Sequence, residues 1–199
     1  NAHAKEIADR SSKGVISFWE MVRSSLIAAE QKKGLPFRPA TIALGASIVG
    51  AGTASTGTDN YRISPTEDFI VAEMFGTVVM ENQSAEPAVA AALGTNIGVN
   101  DRVVAKATNA RVRLSNQDSK VEYTESAGND GICLASICPQ AGGKSLLFGP
   151  PEVPSFVIRG NTTLLLNVAL ASANAMFNTA STEYGIVLVG AYVNRNYFA

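Results

Sequence analysis

The segment Tyr184-Gly-Ile-Val-Leu-Val-Gly-Ala-Tyr-Val193 constrains the fold of this chain more than any other. Read as a strand, whose side chains alternate between faces, it sets Ile186, Leu188 and Tyr192 on one side and Val187, Val189, Ala191 and Val193 on the other. Both faces are apolar, whereas a strand with one wet face alternates apolar with polar. The pattern predicts a central strand covered twice, by the core of its own sheet and by a further layer such as a second subunit. Thr163 to Leu170 is a similar strand, with Leu164, Leu166, Val168 and Leu170 sharing a face.

The same reasoning extends upstream. Asp68 to Met80 is expected to be a principal core strand, with Ile70, Ala72, Met74, Val78 and Met80 on its apolar face and Gly76 as a bulge or bend. Ala110-Arg-Val-Arg-Leu114 alternates, with Val112 and Leu114 inward and Arg111 and Arg113 outward. Shorter strands are expected at Lys120–Thr124, Gly131–Ile137, Ser145–Phe148 and Ser155–Arg159, separated by turns at Gly128–Gly131, Gly142-Gly143, Gly149–Pro151 and Gly160-Asn161. Thr41–Leu44 and Ser47–Val49 read as short strands, Gly50–Asp59 as a loop, and Ala88–Leu93 as a short helix or loop insertion. About eight strands at short spacing, without alternating helices, describe a mainly β protein with an antiparallel β-sandwich or jelly-roll-like body.

Ahead of that body the period changes to that of a helix. Between Ser11 and Lys33, Val15, Phe18, Trp19, Val22 and Leu26 fall on one stripe, with Glu20, Arg23, Ser24 and Gln31 elsewhere. Gly34 supplies a stop, with Pro36 and Pro39 beyond it. Three regions follow: an N-terminal amphipathic arm (1–34), a Gly/Ala/Ser/Thr-rich connector containing a first strand (35–60), and the β-sandwich body (61–199). The arm packs on its own body or docks on a neighbour, with Phe18 and Trp19 as anchors. The interface candidates are Val15, Phe18, Trp19, Val22 and Leu26 on the arm, and Val187, Val189 and Val193 on the closing strand.

Composition narrows the functional classes. Charged residues are only 17% of the 199, against 46% hydrophobic and a mean hydropathy of +0.12, which suits a surface covered by neighbouring subunits and also a stable extracellular β-protein. The net charge is −1, and no basic run exceeds Lys32-Lys33, so the concentrated positive footprint needed for direct nucleic-acid contact is missing. No apolar run reaches the ~20 residues of a membrane helix, so no membrane partner is expected. The chain starts at Asn1 rather than Met, as a processed product would.

Candidate chemistry is sparse. Cys133 and Cys138, on a strand, would point to opposite faces about 16 Å apart, out of disulfide reach unless the chain turns between them, and read as buried thiols. His3 is the only histidine, which leaves a metal site short of ligands and a serine triad without its base. Cys138-Pro-Gln-Ala-Gly-Gly-Lys-Ser145 matches the end of a phosphate-binding loop, but Cys138 stands where the first glycine belongs and a strand-like segment follows. Glu67, Asp68, Glu73, Asp118, Glu122 and Glu125 supply carboxylates for a glycosidase pair, yet the single tryptophan, Trp19, lies in the arm rather than on a sugar platform. Calcium at Glu67-Asp68 with Asp59 and Asn60 has no specific ligand spacing behind it. No enzyme activity and no cofactor are expected.

The succession of arm, Gly/Ala-rich link, β-body and closing pair, Phe156-Val-Ile-Arg-Gly-Asn-Thr-Thr-Leu-Leu-Leu and Tyr184-Gly-Ile-Val-Leu-Val-Gly-Ala-Tyr-Val-Asn-Arg, resembles virion structural proteins of bacteriophages. The likeness covers Tyr61 to Ala199 and rests on texture rather than on an invariant motif. It implies a jelly-roll-like body, assembly into a homo-oligomer with other virion proteins, location in a particle built in the bacterial cytoplasm, and no catalysis. Capsid, cement, connector and fibre-anchoring roles all fit. The alternative is a secreted β-sandwich module that binds carbohydrate or another ligand.

Overall fold

Alternation between faces is realised in long antiparallel strands. The computed structural model describes residues 37–49, 56–80, 99–124, 131–148, 156–170 and 181–194. In chain order the elements are β1 (Phe37–Val49), β2 (Thr56–Arg62), β3 (Glu67–Met80), α1 (Val99–Asn109), β4 (Ala110–Asn116), β5 (Ile132–Cys133), α2 (Leu134–Ile137), β6 (Leu146–Leu147), β7 (Phe156–Ile158), β8 (Thr163–Leu170) and β9 (Ser181–Asn194). Sheet A has the order β1-β9-β3-β6, with β7 also paired to β3, and sheet B has the order β2-β8-β4-β5. Every pairing is antiparallel.

The pairs nest. The first strand joins the last, β2 joins β8, β3 joins β6 and β7, and β4 joins β5. The two sheets share one apolar core, in which Ile42, Leu44, Ile48, Ile186 and Leu188 of sheet A meet Val112, Leu114, Leu164, Leu166 and Val168 of sheet B. The inward faces expected for β4 and β8 are observed. As expected, β9 is central, between β1 and β3.

Several local expectations are corrected. The bulge in β3 is at Ala72, not Gly76: Val71 pairs with Gly190 and Glu73 with Val189, so one residue is extra. Side-chain parity flips there. Phe69 and Val71 face the main core before it and Met74 and Val78 after it, while Ile70 turns to the opposite face. Gly76 serves a different need, because a Cβ there would come within 3.0 Å of Leu134 Cδ1. The strand expected over Gly131–Ile137 ends at Cys133 and becomes the turn of helix α2. Leu134 and Ile137 are both buried, which a helical spacing of three permits and strand alternation forbids. Lys120–Thr124 forms only a bridge from Glu122 to Ser115, after a turn in which the Asn116 side-chain oxygen accepts from the Asp118 and Ser119 amides.

β1 runs as one strand where two short ones were expected, and β2 occupies Thr56–Asp59, read as loop. The sequence of β2 looks wrong for a strand because its inward positions are Gly57, Asp59 and Tyr61, which pair with Val168, Leu166 and Leu164. Each of them meets sheet A. A Cβ on Gly57 would lie 2.9 Å from that of Ala46, Asp59 accepts a 3.0 Å hydrogen bond from the Gly45 amide, and the Tyr61 hydroxyl is 2.9 Å from that of Tyr192. α1, to which the sequence assigned no element, buries Val103, Lys106 and Ala107 on one face and runs directly into β4. The Lys106 Nζ donates to Thr182 Oγ1 at 2.9 Å.

Candidate assembly surface

The face of sheet A that turns away from sheet B carries the described interface candidates. Cross-strand registry lays it out in rows: Thr41, Val189, Glu73 and Leu147 in one, Ala43, Val187 and Phe75 in the next, then Gly45, Gly185 and Thr77, then Ser47, Glu183 and Val79. Val187 and Val189 are half-buried, Leu147 is 58% exposed and Val79 51%. The charges in these rows are Glu73 and Glu183, both acidic.

At the Phe37 end the same face is buried. Phe37, Ile70, Ala191 and Val193 form a second cluster, with Val157 against it. Val193 is thus enclosed, at 4% exposure, while Val187 and Val189 form the accessible part of the closing strand. The second cover expected for β9 is present at the Ala191–Val193 end, where the chain's own Phe37, Ile70 and Val157 supply it. Val15, Phe18, Trp19, Val22 and Leu26 lie outside the described residues.

Polar groups fix this end of the molecule. Arg38 grips the Glu67 carboxylate at 3.0 and 3.1 Å and lies 4.6 Å over the Tyr192 ring, which also packs on Phe69. Burial, followed by the hydrogen bond with Tyr61, pushes the Tyr192 phenol well above its ordinary 10.0. Buried Asp68 accepts from the Gly160 amide at 2.7 Å and pairs with Arg159, holding the turn where Asn161 adopts a positive φ of 67°.

The other candidate chemical groups are distributed by the fold rather than gathered. Glu67, Asp68 and Glu122 are ion-paired to Arg38, Arg159 and Arg113, Asp118 sits in an exposed turn, and Glu125 lies outside the described residues. Asp59 is turned to the edge of β1. Among the described residues no group of three or more His, Cys, Asp or Glu side chains could hold a metal ion. Cys133 and Cys138 are free thiols, the first half-buried and the second buried, and burial pushes the Cys138 thiol up. Gly142 is left-handed (φ 81°) and caps a turn of 3-10 helix over Pro139–Ala141, and Lys144 leads into β6. The helix that a phosphate-binding loop needs after its lysine is replaced by a strand.

No protein-family model matches the chain, and no curated protein is similar to it.

Proposed function

We propose that this chain is a non-enzymatic structural subunit of a bacteriophage particle, with a jelly-roll body that assembles with copies of itself and with other virion proteins in the host cytoplasm. The observation that carries the reading is the nesting of strand pairs, β1 with β9, β2 with β8, β3 with β6 and β4 with β5, wound alternately into two sheets. Nesting of this kind is what an antiparallel ribbon folded into two Greek keys would give, an architecture common among capsid subunits and shared with lectin domains, and it supports the jelly-roll reading. Val187, Val189, Leu147 and Val79, apolar groups left partly or largely exposed on one face of sheet A, support an assembly role. The ion-paired Glu67, Asp68 and Glu122 support a structural rather than a catalytic use of the carboxylates. Fold alone hosts many functions, so the test is assembly itself.

Light scattering across a concentration series, in low and high salt, measures it. A large discrete assembly that survives high salt is expected, because apolar burial is not screened. A persistent monomer overturns self-assembly and favours the secreted ligand-binding module, which glycan binding to the monomer would then establish.

A further inference from the structure

The accessible rows of sheet A and the apolar stripe of the N-terminal segment have matching length, chemistry and attachment. The chain enters β1 at Phe37, whose side chain is buried in the outer-face cluster beside Val193, so β1 begins at the enclosed end of this face. From Lys33 to Phe37 the link spans at most about 14 Å, so the end of any helix over 11–33 stays beside that cluster.

We infer that residues 11–33 form a helix that lies along β9 on the outer face of sheet A of the same chain, seating Phe18, Trp19 and Val22 on Val187 and Val189. A helix from Ser11 to Lys33 is about 34 Å long, and β9 from Val193 back to Glu183 measures about 33 Å. Going back from Lys33, Val22 to Phe18 lie about 17–23 Å away; going back from Val193, Val189 and Val187 lie about 13–20 Å away. Arg23, at about 15 Å on the same scale, reaches the level of Glu73, which pairs with Val189. The charges agree as well: the rows bear Glu73 and Glu183, and the segment carries Lys13, Arg23, Lys32 and Lys33 against Glu20 and Glu30. A short link gives the intramolecular contact an effective concentration in the millimolar range, which favours the chain's own sheet over a neighbour's. The apolar stripe of the segment and the accessible pair Val187 and Val189 are then the two halves of a single contact, with Val193 already enclosed.

Trp19, the sole tryptophan, reports the contact directly in the full-length chain. Its emission is expected to be blue-shifted and shielded from a soluble quencher. Val187→Gln with Val189→Gln, at half-exposed positions, moves the emission to that of water-exposed indole while far-UV circular dichroism keeps its strand signature. Phe18→Ser, which leaves the β-body untouched, gives the same shift. Co-refolding the Val187→Gln/Val189→Gln chain with a Trp19→Phe chain distinguishes the two arrangements: the exposed emission persists if docking is within one chain. Restored shielding shows docking on a second copy and overturns the inference. So does a water-exposed Trp19 in the unmodified chain, or shielding that Phe18→Ser leaves unchanged. If the inference holds, Val187 and Val189 are covered by the chain's own segment, and Leu147 and Val79 remain as the exposed apolar groups of sheet A. The two readings are still tested apart, since an assembly with Trp19 exposed refutes only this inference and a monomer with Trp19 shielded only the assembly.

Discussion

Substituting Gly76 separates two reasons for a glycine in a long strand. Its backbone is not left-handed, and the bulge lies at Ala72, so alanine is conformationally acceptable there. What opposes alanine is contact: the added methyl would overlap Leu134 Cδ1 and sit 3.3 Å from Ile137 Cγ1. Leu134 is fully buried and Ile137 2% exposed, so neither side chain has free space into which to swing. Gly76→Ala should therefore cost about 1–3 kcal/mol, the usual penalty for overpacking. Leu134→Ala, which empties a fully enclosed site, should cost about 2–5 kcal/mol. In the Leu134→Ala background the overlapping Leu134 carbons are gone and Ile137 can yield into the vacated space, so Gly76→Ala should be neutral or stabilising by up to about 1 kcal/mol through the lost freedom of the unfolded chain. The coupling between the sites is then about 1–4 kcal/mol. Urea midpoints followed by far-UV circular dichroism, at one fixed protein concentration, measure all four corners of the cycle. Equal costs of Gly76→Ala in both backgrounds would refute the reasoning, because Gly76 would then be required by its backbone rather than by its neighbour.

Gly190→Ala meets the backbone carbonyl of Ile70, which cannot rotate away, and should cost about 3 kcal/mol or more, read as loss of soluble folded protein. Asp59→Ala frees the Gly45 amide on the edge strand β1; a loss of about 0.5–1.5 kcal/mol should be accompanied by faster aggregation in a turbidity assay, and unchanged aggregation would show that the edge is guarded otherwise. Because the folded Tyr192 phenol holds its proton above the ordinary 10.0, the unfolded chain ionises first and stability falls as pH rises past that value, by at most about 1.4 kcal/mol per pH unit. Tyr192→Phe should cost about 0.5–1.5 kcal/mol near neutrality and flatten the alkaline loss in urea titrations; an identical slope would assign that loss to other groups.

The sequence by itself determined the β class, the core faces of β4 and β8, and the central place of β9, because these strands alternate or are apolar throughout and burial follows side-chain period. It also marked Val187, Val189 and Val193 as surplus apolar groups. Only the tertiary structure decided the rest. The inward residues of β2 are Gly57, Asp59 and Tyr61, which meet β1 and, through Tyr192, β9 of sheet A rather than fill a core, so no hydrophobic pattern announces them. The bulge at Ala72 shifts the parity of β3 through its pairing with β9, and pairing is not written in one strand. Leu134 and Ile137 pack on Gly76, where a side chain would crowd them, a contact between two segments far apart in the chain. Which of the surplus valines is enclosed was likewise settled by Phe37 and Ile70, which reach the Val193 end of β9 from its two neighbouring strands.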